Sequence, residues 1–255
     1  MLTLACMYRS GGDFVPADVK HLMGSFLQLN REYASTIRTL CLTDKPDEIA
    51  PFVDIAVKME IDWPCWWGKM ELFRIPPPVL YFDLDMMIVG ELGPLLQSVN
   101  SLPDDELLLV RGFYRNDPCS TILGWNCNMR WLTETFFLGM ATEHNSVDVL
   151  AGRPIWTEQS HGIGCTIGGM HFLGDQDFIA MACTGIRKLV YAQDYCTGIY
   201  SYKVHIQKMG VLPADARMVV FHGRPRPSEI RMPARRHDQA RPLPAGSQIK
   251  RTEVY

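Results

Sequence analysis

Val79-Leu80-Tyr81-Phe82-Asp83-Leu84-Asp85-Met86-Met87-Ile88-Val89-Gly90 is the stretch whose reading decides the fold. The apolar run reads as a buried strand, yet it carries two carboxylates one residue apart in its middle. Carboxylates among apolar neighbours are costly unless something compensates their charge. A divalent cation does this most directly, and with one intervening residue both carboxylates reach a single ion if the backbone turns there. Hard oxygen donors suit Mn²⁺ or Mg²⁺, ions that keep positions open for phosphate oxygens. A nucleotide diphosphate is therefore the expected ligand class. Taken alone, the same Asp-x-Asp is also compatible with a turn or capping pair at a strand end.

The far end of the chain supplies context. Met218-Val219-Val220-Phe221 reads as a short buried strand that delivers His222 into Gly223-Arg224-Pro225-Arg226-Pro227. A neutral imidazole there suits a third metal ligand. Gly223 lets backbone approach a ligand closely, and Arg226 can neutralise phosphate oxygens. The alternative is an ordinary loop histidine beside a basic, solvated tail.

Between these ends, apolar strand-like runs alternate with helical patterns, as expected of an α/β sheet with helices on both faces. Residues 2–7 form the first expected strand, followed by the loop Tyr8-Arg9-Ser10-Gly11-Gly12-Asp13. Pro16 opens a helix whose face carries Val19, Leu22, Met23 and Phe26, and Thr39-Leu40-Cys41-Leu42 is the next strand, ending at Thr43-Asp44. Ligands of open α/β sheets bind at the carboxyl ends of strands, so the first loop, Asp44, Asp83, Asp85 and His222 should converge on one crevice. Tyr8 is a candidate to stack on a base, and Arg9 a candidate donor contact. Asp44 could accept from a uracil or ribose, or simply form a turn.

Together these segments resemble the retaining, metal-dependent glycosyltransferases of the GT-A fold, the group that includes glycogenin and the bacterial lipopolysaccharide galactosyl- and glucosyltransferases. Tyr81 to Gly90 matches that group's Tyr-hydrophobic-Asp-x-Asp run. His222, Gly223, Arg226 and Pro227 match its final His-Gly segment, with Arg where Lys is usual. Three further segments fall in the family's order. In Trp67-Gly68-Lys69-Met70-Glu71-Leu72-Phe73, Lys69 takes the place of a lysine beside the donor and the metal carboxylates. Asn126-Cys127-Asn128-Met129 resembles a segment near the transferred sugar, with Asn128 where Gly is common, and Gly174-Asp175-Gln176-Asp177 resembles a helix start beside the reaction centre.

The resemblance implies a Rossmann-like, three-layer α/β/α sandwich with a mixed, mostly parallel sheet. It implies Mn²⁺ or Mg²⁺ held by Asp83, Asp85 and His222, with Asp175, Gln176 and Asp177 as catalytic candidates. Donor contacts would come from Tyr8, Arg9, Asp44, Lys69, Asn126, Asn128, Gly223 and Arg226. The implied reaction moves a hexose from a nucleotide-diphosphate sugar, a UDP-sugar first of all, to a hydroxyl of a glycan, lipid-linked or protein acceptor with retention of anomeric configuration. Two other readings stay open. A sugar-phosphate nucleotidyltransferase would need a Gly-rich triphosphate loop, of which Arg9-Ser10-Gly11-Gly12 is a fragment, and a non-catalytic nucleotide-sugar binder would keep the fold without the reaction.

At 255 residues with 47% hydrophobic content the chain can bury a full core, and a formal charge of -3 gives no reason to expect nucleic acid. The apolar start Leu2–Met7 is too short for a signal or a membrane span, so a cytoplasmic protein is expected. Its eight cysteines form no Cys-x-x-Cys pair and read as reduced thiols; a zinc site from Cys127, Cys165, His161 and His171 has no diagnostic spacing. Residues 1–227 read as the catalytic domain. Residues 228–255, rich in Pro and Arg, read as a loosely ordered tail or a basic contact to an anionic acceptor or membrane surface.

Overall fold

In the computed structural model, residues 1–61, 63–115, 117–143, 156–159, 162–167 and 169–235 are described. Strand β1 (Leu2–Tyr8) lies inside a seven-stranded sheet, with β2 (Ile37–Thr43) and then β3 (Ile55–Lys58) on one side. On its other side stand β4 (Val79–Phe82), β7 (Pro118–Trp125), β6 (Glu106–Arg111) and β11 (Lys188–Tyr191), in that order. β1 runs parallel to β2 and β4, β2 to β3, and β6 to β11; β7 alone is antiparallel to its neighbours β4 and β6. The sheet is mixed and mostly parallel, as expected.

Side-chain alternation builds a core on each face. Leu4, Cys6, Leu80 and Phe82 point to the face covered by α1 (Pro16–Leu29) and α2 (Gly93–Asn100). Ala5, Val79 and Tyr81 point to the other, where Trp67, Trp125, Phe136 and Phe178 pack with α3 (Arg130–Glu143) and α4 (Asp175–Cys183). The first helix begins as the sequence reading expects: Pro16 needs no amide partner, Asp18 accepts from the Val15 N–H at 2.8 Å, and Val19, Leu22, Met23 and Phe26 are the buried stripe.

The decisive apolar run is not one strand. β4 ends at Phe82, the chain turns through Asp83-Leu84-Asp85, and β5 (Met86–Ile88) joins a separate three-stranded sheet with β13 (Met218–Val220) and β12 (Ile199–Ser201). β13 is antiparallel to β5 and parallel to β12. The two carboxylates thus sit where the chain changes sheets. A third sheet, β8 (Trp156–Gln159), β9 (Gly162–Ile167) and β10 (Met170–Phe172), is an antiparallel meander ahead of α4. Crossovers from β1 lead to β2 on one side, and the chain later returns to β4 on the other, so β1 and β4 flank the switch point where open α/β sheets bind ligands.

Of the expected tail, residues 228–235 contact the body: Ile230 and Met232 pack beside Ile206, Leu212 and Phe221, and the Arg235 guanidinium donates to the carbonyls of Ala214 and Val89. The rest of that segment, 236–255, lies outside the described residues. Among the described residues, no helix is long and apolar enough to cross a membrane.

Candidate active site

The turn after β4 carries two groups of side chains. The first is built on Lys69, which is buried in a ten-residue 3₁₀ segment, Cys65–Arg74. Its ammonium lies 2.9 Å from Asp83 Oδ2 and 3.2 Å from Asp175 Oδ2, and donates to Ser120 Oγ at 3.2 Å. Two hydrogen bonds, to Asp83 and Ser120, and an ion pair with Asp175 make this buried lysine (6% exposed side chain) a counter-ion to the two carboxylates. Tyr81, two residues before Asp83 and therefore on the same strand face, donates from Oη to Asp83 Oδ1 at 2.5 Å.

Burial lifts the Asp83 carboxyl to about 7, with Lys69 opposing and Asp85 and Asp175 adding to the rise. Burial pulls the Lys69 ammonium down, but Asp175 and Asp83 more than reverse it, so it ends above the ordinary lysine range. The Tyr81 phenol is pushed well up, first by burial and then by the Asp83 charge.

The second group surrounds Asp85. Because β5 and β13 pair antiparallel, the Phe221 amide donates to the Asp85 carbonyl at 3.0 Å and the Gly223 amide reaches Asp85 Oδ2 at 3.3 Å. Arg226 Nη1 lies 3.6 Å from the same oxygen. The Arg226 guanidinium rests on the Phe14 ring at 4.5 Å, and its Nη2 donates to Asp13 at 2.6 Å, tying the first loop to the last segment. His222 and Gly223 turn through positive φ, 53° and 84°. Burial lowers the His222 pKa, Asp85 opposes, and Lys203 adds to the lowering, which keeps the ring neutral at neutral pH.

The donor set fits a hard cation in chemistry. Asp85 Oδ1 and His222 Nε2 are both buried without a hydrogen-bond partner, as is Asp175 Oδ2 beside Lys69, so these atoms are free to accept a ligand. Asp83 differs, its oxygens being held by Tyr81 and Lys69, and among the described residues no three His, Cys, Asp or Glu side chains are gathered as a ready metal group.

Several expected site residues stand elsewhere. Tyr8 is only 4% exposed and belongs to the core under α1, so it presents no face to a base. Arg9 donates to the Trp63 carbonyl at 2.6 Å. Asp44 closes the first loop: one oxygen accepts from the Ser10 amide at 2.8 Å and the other from the Ser10 hydroxyl. Burial raises the Asp44 pKa, but those Ser10 bonds outweigh it and the net shift is downward.

Asn126 and Asn128 are not at the crevice. β7 runs antiparallel to β4, pairing Trp125 with Val79 and Ile122 with Phe82, so the residues after Trp125 leave the sheet at the edge opposite Asp83. There Asn126 donates to the Asn100 carbonyl at 3.1 Å, and Asn128 caps α3 by accepting from the Arg130 amide at 3.0 Å. In the Asp-Gln-Asp segment only Asp175 joins the cluster. Gln176 is half-buried beside it, whereas Asp177 is exposed and its carboxylate is hydrogen-bonded by the backbone of Leu173 and Gly174, stapling the helix start. Among the described residues no zinc site is gathered: Cys165 packs on Met140 and His171 on Thr166, while His161 lies outside the described residues.

The sequence reading missed Ser120 and Asp13, and it saw Tyr81 only as a family match. Period-two alternation back from Asp83 points to Tyr81. Ser120 carries no such signal, because it depends on β7 passing beside β4.

No protein-family profile and no curated protein matches this chain. Solved structures do. The glycosyltransferase GlyE of Streptococcus pneumoniae TIGR4 is similar with a TM-score of 0.53 and 13% identity, over 88% of this chain and 55% of GlyE, so the chain spans about half that protein's length. The galactosyltransferase LgtC, solved with donor and acceptor sugar analogs, is similar with a TM-score of 0.55 and 12% identity, over 88% of each chain. With its mixed, mostly parallel sheet and helices on both faces, the chain has the Rossmann-like GT-A fold of these glycosyltransferase structures.

Proposed function

We propose that this protein is a metal-dependent hexosyltransferase that moves a sugar from a nucleotide-diphosphate donor, a UDP-sugar first of all, to a hydroxyl acceptor with retention of configuration. The observation that carries the proposal is the pairing of two buried, unpartnered donor atoms, Asp85 Oδ1 and His222 Nε2, with the Arg226 guanidinium beside the switch point of the sheet. The similarity to GlyE and LgtC in fold points the same way.

In this reading Asp85 and His222 would hold Mn²⁺ or Mg²⁺, with Asp83 joining them by giving up a bond to Tyr81 or Lys69. When bound, the ion stabilises negative charge on the diphosphate as the anomeric carbon–oxygen bond breaks. Arg226 adds a guanidinium contact to the same charge, and Gly223 allows the diphosphate close to the backbone. Lys69 holds the Asp83 and Asp175 carboxyls in place through its ion pairs. Asp175 and Gln176, at the start of α4, position the sugar and acceptor hydroxyl next to this charged group.

Calorimetry with UDP-hexoses and Mn²⁺ tests the site. The parent chain should bind donor only with metal, and Asp85→Ala should lose that metal-dependent affinity while keeping its melting temperature. Unchanged nucleotide affinity in Asp85→Ala would overturn the metal assignment.

A further inference from the structure

His222 is one of only two non-glycine residues at positive φ among the described residues, the other being Cys65. Left-handed backbone in a side-chain-bearing residue persists only where its surroundings over-determine it. Here the surroundings are specific. Lys203 Nζ donates to the His222 carbonyl at 2.8 Å, a charge-assisted bond from a different element.

That element is a single π-helical turn, Tyr202–Ile206, which follows β12. Such turns are rare, and they recur at functional sites. Side chains cap this one: Ser201 Oγ accepts from the Val204 amide at 3.2 Å, and His205 Nδ1 accepts from the Ser201 amide at 3.0 Å. The same turn also reaches the imidazole of His222. The His205 ring meets Phe113 edge-on at 5.6 Å, and Phe113 meets His222 edge-on at 5.3 Å. His222 is therefore held twice from one turn, at its carbonyl by Lys203 and at its ring through Phe113.

We propose that Lys203 is a positioning residue: its bond to the His222 carbonyl fixes the left-handed His222–Gly223 turn and so presents His222 Nε2 and the Gly223 amide to the ion and diphosphate. The inference rests on the metal reading given above. Lys203 itself touches neither ligand. Without its ammonium, the peptide between His222 and Gly223 is free to relax to negative φ, which turns the imidazole and draws the Gly223 amide from Asp85.

The test uses the full chain with Mn²⁺ alone, free ion being read by electron paramagnetic resonance. Lys203→Met should weaken Mn²⁺ binding about tenfold or more, the scale seen when outer-shell partners of metal ligands are lost. Lys203→Arg, which keeps the donor, should restore most of it. In a His222→Ala background Lys203→Met should add nothing, a result that a merely structural lysine would not give. Equal Mn²⁺ affinity in parent and Lys203→Met overturns the positioning role and leaves the metal reading standing; a full further loss in the His222→Ala background overturns it as well. If the parent binds no Mn²⁺, the metal reading fails, and hydrogen exchange then decides on the turn alone. Amides of residues 221–224 should exchange about tenfold faster in Lys203→Met with the rest of the sheet unchanged, and unaltered exchange overturns the proposal.

Discussion

Replacing Lys69 by methionine keeps the side chain's length and removes the charge that stands between Asp83 and Asp175. At an effective dielectric of about 20, ion pairs at 2.9 and 3.2 Å are each worth roughly 5–6 kcal/mol of attraction, from which the cost of burying the ammonium must be subtracted. Breaking a buried pair from one side leaves a net loss of about 3–5 kcal/mol. For a chain of this size that lowers the melting temperature by roughly 10 °C.

The loss should depend on pH with a definite sign. Burial already holds Asp83 at about 7 in the folded protein, above its unfolded value, so its contribution to stability falls as pH rises from the unfolded value through 7. Removing the opposing cation raises the folded value further and prolongs that fall. The variant should therefore be closest to the parent near pH 5, where Asp83 is protonated, and furthest from it at pH 8. Thermal melts of both proteins at the two pH values give the comparison. A drop of equal size at pH 5 and pH 8, or no drop at all, would refute the counter-ion role.

Tyr81→Phe removes only the donor to the half-buried Asp83 Oδ1 and should cost about 1 kcal/mol in chemical denaturation; an unchanged midpoint would mean the bond is worth nothing. Gly198→Ala should destabilise by about 3 kcal/mol or more, since its φ of 80° is left-handed and a Cβ would stand 2.1 Å from the Asp215 carbonyl oxygen. At Gly185, with φ of 75° but open space around it, the same change should cost only about 1–2 kcal/mol, and equal losses would contradict the steric reasoning. Asp175→Asn should keep nucleotide affinity and lower turnover about a hundredfold, whereas Asp177→Ala should lose about 1 kcal/mol of helix capping at parental turnover. The reverse pattern would move the reaction centre to Asp177.

Much of this was legible in the sequence, because short-range rules govern it. The strand before Asp83, the helix opened by Pro16 and the strand before His222 follow from apolar runs bounded by Pro, Gly and Asp. That the His222–Gly223 turn comes back beside Asp85 agrees with the expectation of one crevice at the ends of the strands. The errors lie where strand direction or pairing decides. Asn126 and Asn128 look like site residues until β7 is known to run antiparallel, which carries them to the far edge. Tyr8 ends a strand at the crevice, but its side chain takes the core face. Asp175 and Asp177 are two residues apart on a helix and so point to different sides, one to Lys69 and the other back to its own N-terminus. Lys203, Ser120 and Asp13 act across long sequence separations, and nothing local marks them.

Product analysis tests the proposed activity most directly. The chain incubated with Mn²⁺, a panel of UDP-hexoses and hydroxyl acceptors should release free UDP together with a new glycoside, and Asp85→Ala should release neither. Release of pyrophosphate from a nucleoside triphosphate and sugar phosphate, or tight donor binding with no turnover on any acceptor in the panel, would contradict glycosyl transfer.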